Sequence, residues 1–442
     1  GEVVLFVSNI AHHSDIGGMA PGSMAGGMTE IYQEGLRIPP IRIVQEDKIL
    51  QDVFDLVLLN VRVPSERRGD YLAQIAANRL GNRRLTELFK KWSKEQMKLG
   101  CSAIIDAVTR RMRSSIAELP DGNYGFEDIL DDDGMGTENI PVVVNIVKKG
   151  EEIWLDFSGS GPQVKGNMNN SFAGLQASVL FALKVLVDPD GPTNHGMLEP
   201  VHIKAPEASV VNASFPAATA ARAQTCQRII DVILGALAEA VPDRVIAACN
   251  GANGVATFSG TGPDGKYYLY METIGGGAGG RSYKDGSDGI QVHVTNTSNL
   301  PVEALENEYP LLVDRYELIE DSGGAGKWRG GLGLRRVYRG IDHTLTFSGQ
   351  GERAVTAPWG LFGGESGGTA AISLLSDNGK REALAIKPAS LEVEPGVAVC
   401  IETAGAGGYG LATERDIKSL EDDYKSNKFS KEFMREFYNY EI

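Results

Sequence analysis

Apolar residues return along this chain at two different periods. Between Gln45 and about Ser115 they recur every three or four positions. Ile49, Val53, Leu56 and Val57 form one set, and Leu72, Ile75 and Ala76 a second. Leu85, Leu88, Phe89 and Trp92 form a third, opposite Arg84, Lys91 and Lys94. That spacing predicts amphipathic helices packed as a helical subdomain. Residues 173–187 predict another helix, stopped by Asp188-Pro-Asp-Gly. Residues 225–241 are apolar nearly all round (Ile229, Ile230, Val232, Ile233, Leu234, Leu237) and predict a buried helix.

Elsewhere the apolar runs are short and punctuated by turns. Val3 to Val7 predict a buried strand over residues 1–8. Runs at 141–147 and 152–157, joined by Lys148-Lys-Gly-Glu, predict a hairpin. Between Ala252 and Gly410 glycines separate predicted strands at 267–274, 291–295, 312–319, 334–338, 344–348 and 397–403. After Leu411 the chain is charged with spaced aromatics (Tyr424, Phe429, Phe433, Phe437), which predicts a tail helix docked on this chain or a neighbour. The expected fold class is α+β, with mixed or antiparallel sheets, a helical subdomain and a glycine-rich β second half. The expected segments are 1–45 (strand and loop), 46–118 (helical), 119–260 (mixed, with buried helices), 261–412 (glycine-rich β) and 413–442 (tail).

Composition narrows the function classes. The 442 residues carry a formal charge of −15, and the one basic stretch, Arg79 to Lys98, reads as a solvated helix face. Nucleic acid and anionic membranes are therefore not expected partners. No apolar run is long enough to span a bilayer, and no signal peptide is visible. The four cysteines form no Cys-x-x-Cys pair, so free thiols in a reducing, cytoplasmic setting are expected. The absence of an initiator Met, and the opening Gly1-Glu2, point to a processed or truncated piece. The 54 glycines imply many tight turns and close backbone approaches. Gly275, Gly277 and Gly280 spell Gly-x-Gly-x-x-Gly, but no convincing helix follows and no Walker-type lysine appears, so no ATP site is expected here.

The densest chemistry lies at Asn9-Ile-Ala-His-His-Ser-Asp-Ile-Gly-Gly-Met-Ala-Pro-Gly-Ser23. Two adjacent imidazoles, His12 and His13, and the Asp15 carboxylate sit where an apolar run breaks into a glycine-rich loop. Such groups serve a metal ion or proton transfer; alternatively the histidines cap loop carbonyls and Asp15 makes an Asx-turn. Downstream, Glu30 is a candidate general base and Arg37 a candidate oxyanion holder, or both belong to a solvated turn before Pro39-Pro40. Arg222 can bind an anion or pair with carboxylates. His293 reads by default as a satisfied core histidine, with Asn296 in a turn.

Several stretches together resemble the hydantoinase B/5-oxoprolinase family. They are Ala11-His-His-Ser-Asp-Ile-Gly-Gly18, Thr29-Glu-Ile-Tyr-Gln-Glu-Gly-Leu-Arg-Ile-Pro-Pro40, Gln74-Ile-Ala-Ala-Asn-Arg-Leu-Gly81 and Asp156-Phe-Ser-Gly-Ser160. Phe215-Pro-Ala-Ala218, Glu272-Thr-Ile-Gly-Gly-Gly277, Trp328-Arg-Gly-Gly-Leu-Gly333 and Gly407-Gly-Tyr-Gly410 follow in the family's order. The resemblance implies a B-type subunit of an ATP-dependent hydrolase of hydantoins, 5-oxoproline or related lactams. ATP would be bound by an A-type partner, not by this chain. The alternatives are a subunit of a ketone carboxylase of the acetone or acetophenone type, and a non-catalytic assembly subunit. One divalent metal (zinc, manganese or iron) is implied. His12 matches the family's later metal-ligating histidine. Adjacent strand residues point to opposite faces, so His12 as ligand, with His13, Asp15 and Glu30 as proton-transfer groups, is the expected division. Arg37, Arg222, His293 and Asn296 are the expected substrate-binding residues. Members normally hold roughly a hundred further residues upstream, about one small domain, with a Gly-Gly-Thr-His-x-x-Asp stretch. Here those ligands are expected from a separate peptide, or the site is incomplete in this chain.

Overall fold

Helices stand where the three-four periodicity runs, although its second and third sets share a single helix, beyond whose end Trp92 lies. The computed structural model describes residues 3–441. A short ribbon, β1 (Val44–Gln45) and β2 (Lys48–Ile49), leads into α1 (Gln51–Leu59), α2 (Pro64–Phe89) and α3 (Lys94–Ala117). Pro64 opens α2, where its missing N–H leaves no bond unmade. Ser93 opens α3 with a reciprocal cap: its hydroxyl accepts from the Gln96 N–H, and the Gln96 side chain accepts from the Ser93 N–H. Val108, Met112 and Ile116 of α3 enter the largest apolar core. By contrast Leu56, Leu59, Leu80, Leu88 and Leu99 of these helices, and Trp92 between the last two, stay exposed.

That core lies on a four-stranded sheet. β3 (Gly122–Asp132), β4 (Glu138–Lys149) and β5 (Glu152–Asp156) are antiparallel neighbours, and β6 (Val201–Lys204) joins β5 in parallel. Along β4 the alternate residues Ile140, Val142, Val144 and Ile146 are buried, the period-two signature of a sheet with one covered face. α4 (Phe172–Val187) and α5 (Arg222–Ala236) contribute their apolar residues to the same core.

The glycine-rich half is a sandwich of two antiparallel sheets. One has the order β14 (Leu391–Val393), β11 (Leu345–Gln350), β7 (Gly254–Thr261), β8 (Tyr267–Ile274). The other runs β13 (Arg381–Leu384), β12 (Ala371–Ser376), β15 (Val397–Glu402), β10 (Leu334–Gly340), β9 (Leu311–Leu318). Phe258, Tyr270 and Phe347 of the first meet Tyr338, Ile372 and Ile401 of the second in one core. α6 (Val302–Glu308) precedes β9. Beside the sandwich, loops near 277–280, 324–331 and 404–410 are laced by backbone bonds such as Gly280 N–H to Gly407 O and Ala406 N–H to Gly331 O. A Cβ on Gly330 would lie 1.8 Å from the Ala406 oxygen, so side chains are excluded there. The glycine runs are close packing, as expected, and the fold class is α+β.

The structure departs from the predicted elements in several places. Residues 3–15 form no strand, because no neighbouring strand supplies bonds to their backbone. Instead the Asn9 side chain donates to the Gln74 carbonyl and to Asn78 Oδ1 of α2. Gly1 and Glu2 lie outside the described residues. The stretch 291–295 is not a strand, since His293 turns the chain with a φ of +51°. The tail is two helices, α7 (Ile417–Lys425) and α8 (Lys431–Tyr438), and Leu420, Phe429, Met434 and Tyr438 dock on Ala325 and Leu332 of this same chain.

A buried ionic network joins sheet, helix and sandwich. Asp128 on β3 meets Arg228 of α5 at 3.0 Å and Arg353 at 2.8 Å. Arg228 also meets Glu352 at 3.3 Å, and Glu352 meets Lys387 at 2.7 Å. Burial opposes ionisation of Asp128, but the two guanidiniums outweigh it and hold the carboxyl at about 2, below its ordinary 3.8. A carboxyl depressed in the folded state stabilises fully above its unfolded pKa, and that contribution is lost as pH falls toward the folded value. Urea unfolding should therefore show a stability lower by at least about 1 kcal/mol at pH ~3 than at pH ~5 from Asp128 alone. Equal stability at both would show that the pair contributes nothing.

Candidate active-site loop

Residues 12–37 fold through polar groups and through a small apolar cluster in which Ala20, Ala25 and Met28 pack with Ala218. The Met19 N–H donates to the Gln33 carbonyl at 2.7 Å and the Leu36 N–H to the Ile16 carbonyl at 2.9 Å, which closes the loop on itself. Asp15, 1% exposed, organises its start. Oδ1 accepts from the N–H groups of Gly17 (2.9 Å) and Arg62 (3.0 Å); Oδ2 accepts from the Gly22 N–H (3.1 Å) and Arg62 Nη1 (2.8 Å). The first bond is the Asx-turn that the sequence allowed. Gly17 has a φ of +83°, and a Cβ there would lie 1.8 Å from the Asn60 oxygen, so the turn accepts only glycine. The Asp15 carboxylate thus meets four donors and is a loop clamp in this geometry.

His13 is the imidazole with a partner. Its Nδ1 lies 3.2 Å from Asp70 Oδ2, and its ring packs on Tyr71 with centroids 4.8 Å apart. Burial pushes the Tyr71 hydroxyl above its ordinary value. Asp70 also meets Arg67 Nη2 at 3.3 Å. Arg67 is buried; Nη2 pairs with Glu66 as well, at 3.1 Å, whereas Nε and Nη1 have no hydrogen-bond partner among the described residues. His12 is exposed. Among the described residues one group of three candidate ligand atoms lies within 4.8 Å, and it is Asp231, Cys249 and His293, not His12. The residues present around His12 therefore do not by themselves fit a metal centre.

The second half of the loop packs on residues 215–222. The Ile31 N–H donates to the Pro216 carbonyl at 2.9 Å, and Glu30 bridges Ala217. Of the two glutamates, Glu30 is exposed and Glu34 is buried. Glu34 Oε1 accepts from the Thr219 and Ala220 N–H groups at 2.5 and 2.6 Å. Burial raises its pKa, against those two donors and the charge of Arg222, the first residue of α5. Arg37 lies over the rings of Tyr32 (5.1 Å) and Phe215 (5.0 Å), both exposed. A guanidinium so held keeps its N–H fork for a solvent-side anion.

The remaining expected residues lie elsewhere. His293 lines a separate cavity whose walls include none of residues 12–37, and its Nε2 pairs with Asp231 Oδ1 at 2.9 Å. Asn296 is exposed; it is Asn299 that is bonded, to Glu272 Oε2 at 2.7 Å and to the Thr273 carbonyl at 2.8 Å. Arg67, Asp70 and Asp231 were not singled out from sequence. Their one signal is a charge within a helical run, which a solvated face also produces.

Comparison with known proteins agrees over nearly the whole chain. Residues 1–412 match the family described as hydantoinase B/oxoprolinase. The B-type component of a putative D-/L-hydantoinase from Pseudomonas sp. (strain NS671) is 32% identical over 98% of this chain and 74% of its own length. The crystal structure of the ATP-dependent caprolactamase from Pseudomonas jessenii is similar with a TM-score of 0.88 at 27% identity, covering 98% of this chain and 76% of that one. A nucleotide-free acetone carboxylase structure shares the fold at a TM-score of 0.84 and 16% identity, over 97% of this chain and 63% of that one. The chain belongs to the hydantoinase B/oxoprolinase family.

Proposed function

We propose that this chain is the B-type subunit of an ATP-dependent cyclic-amide hydrolase, acting in the cytoplasm on a hydantoin, 5-oxoproline or a related lactam. Such rings are unstrained, so opening them needs coupling to ATP. The A-type partner would hold ATP and phosphorylate the amide oxygen; this chain would receive the activated amide. Arg67 carries the reading: a buried guanidinium with two unpaired nitrogens beside the His13–Asp70 pair. A phosphorylated amide brings an anion that these unpaired donors can bind. An imidazole oriented by a carboxylate can take a proton from water and return it to the departing nitrogen. The apolar residues left exposed on α1 to α3 suit a hetero-oligomer. His12 would be this chain's one ligand to a divalent ion (zinc, manganese or iron), the others coming from another stretch of polypeptide.

The test is reconstitution with the A-type partner. ATP consumption is followed with 5-oxoproline, hydantoin or caprolactam, and separately with acetone plus bicarbonate. The expected result is turnover with a cyclic amide. Arg67→Gln should lower kcat/KM about 10- to 100-fold, the loss of charge-assisted bonds. Elemental analysis should find one metal ion that His12→Ala loses. Turnover with the ketone alone would replace this reading by a carboxylase. An assembled complex with neither turnover nor metal would leave an assembly role without catalysis.

A further inference from the structure

A cavity of about 620 Å³ lies away from the loop, walled by α4, by residues 243–249 and by residues 290–293. Cys249 and His293 both face it. The Cys249 sulfur, an imidazole nitrogen of His293 and a carboxylate oxygen of Asp231 lie within 4.8 Å of one another. Their arrangement is built, not incidental. Arg353 Nη2 holds Asp231 Oδ2 at 3.0 Å while Oδ1 holds His293 Nε2 at 2.9 Å. One ring nitrogen is thereby fixed, which leaves Nδ1 to serve the sulfur. The Gly279 N–H donates to Cys249 Sγ at 3.5 Å, which fixes the sulfur at the cavity wall.

The other cysteines lack this setting. Burial raises the pKa of the Cys226 and Cys400 thiols, and Cys101 is exposed. A cation is a poor occupant of the cluster, because both Asp231 oxygens are engaged and Arg353 lies against it. The wall carries the anionic Glu118 and Asp243, but also Arg244 and Arg281. Arg244 is 3.6 Å from Glu118, so Arg281 is the cation left to face an anionic occupant.

We propose that this cavity is a second reaction site, in which Cys249 is the nucleophile toward an acyl phosphate, His293 its acid–base partner and Asp231, anchored by Arg353, a positioning residue. The site stands on the cavity and is independent of ring opening at the loop. The thiolate adds to the acyl carbon, an S–C bond forms and the C–O bond to phosphate breaks, and the His293 imidazolium gives its proton to the departing phosphate. Water then adds to the thioester, passing one proton to His293; the S–C bond breaks, and thiolate, carboxylate and one released proton result. Burial opposes protonation of His293, but the neighbouring sulfur and Asp231 push it up to about 10, so the imidazolium that gives its proton to the departing phosphate is present at neutral pH.

The experiment treats the full chain with iodoacetamide and follows each cysteine by mass spectrometry, then repeats the mapping after acetyl phosphate. Cys249 should alkylate at pH ~6 within about threefold of its rate at pH ~8.5, whereas the exposed Cys101 should slow about 100-fold. Acetyl phosphate should leave an acetyl group on Cys249 and not on Cys101. In His293→Asn, a variant that keeps a polar side chain, Cys249 should take on the profile of Cys101 and lose the adduct. A wild-type Cys249 that follows Cys101, or that neither reagent reaches while Cys101 reacts, overturns the proposal.

Discussion

Replacing Arg353 by methionine should cost about 3–5 kcal/mol of folding stability, the expected loss when one partner leaves a buried ion pair. Arg353 is fully buried and donates to Asp128 from Nη1 and Nη2, at 3.2 and 2.8 Å, and to Asp231 at 3.0 Å. It therefore ties β3 to α5 from the sandwich side of the molecule. Methionine fills much of the volume but leaves two buried carboxylates short of a cation. Asp128 would keep Arg228 and the Trp359 N–H, and Asp231 would keep only His293 among these partners. Urea unfolding at neutral pH measures the loss. The double variant Arg353→Met, Asp128→Asn should recover part of it, because removing charge from both sides is far cheaper than orphaning one. A single-variant loss below about 1 kcal/mol would mean that the network does not hold these layers together.

This network also explains what the sequence hid. α4 was legible because its apolar pattern survives in the structure: it was expected at 173–187 and stands at Phe172–Val187. β8 was expected at 267–274 and stands there. β3 was not foreseen, because its inward positions include Asp128 and Asp131. Asp128 is neutralised by guanidiniums, and Asp131 accepts from the N–H groups of Ala354, Val355 and Thr356. A pattern that reads apolar as inside cannot see a carboxylate whose partners lie far along the chain. α5 shows the same effect: its apolar residues announced a buried helix, while Arg228 and Asp231 on it gave no sign of burial. At the candidate site, His12, His13 and Asp15 drew attention as one cluster. The fold separates them into an exposed ring, an imidazole paired with Asp70 and a buried clamp. The positions of Arg67 and Asp70 depend on how α2 packs beside the loop, and periodicity carries no record of that.

That separation makes opposite demands on His13 and Asp15, and two variants tell them apart. His13→Gln should lower kcat of the reconstituted enzyme about 10²- to 10⁴-fold, the usual contribution of a positioned acid–base group. Its stability should change little, because Asp70 is 43% exposed and such pairs contribute about 1 kcal/mol or less. Asp15→Asn should do the reverse. An amide offers one acceptor oxygen where the carboxylate offers two, and its NH2 would face donors already pointing inward from Gly22 and Arg62. Leaving buried donors to a charged acceptor unmet costs about 2–4 kcal/mol, and the loop that Asp15 ties to Arg62 would lose its shape. Activity would then fall together with stability and rise again where a lower temperature restores the fold. If Asp15→Asn instead kept full stability and lost only kcat, Asp15 would be moving a proton, and its four donors would be tuning that proton rather than holding the chain.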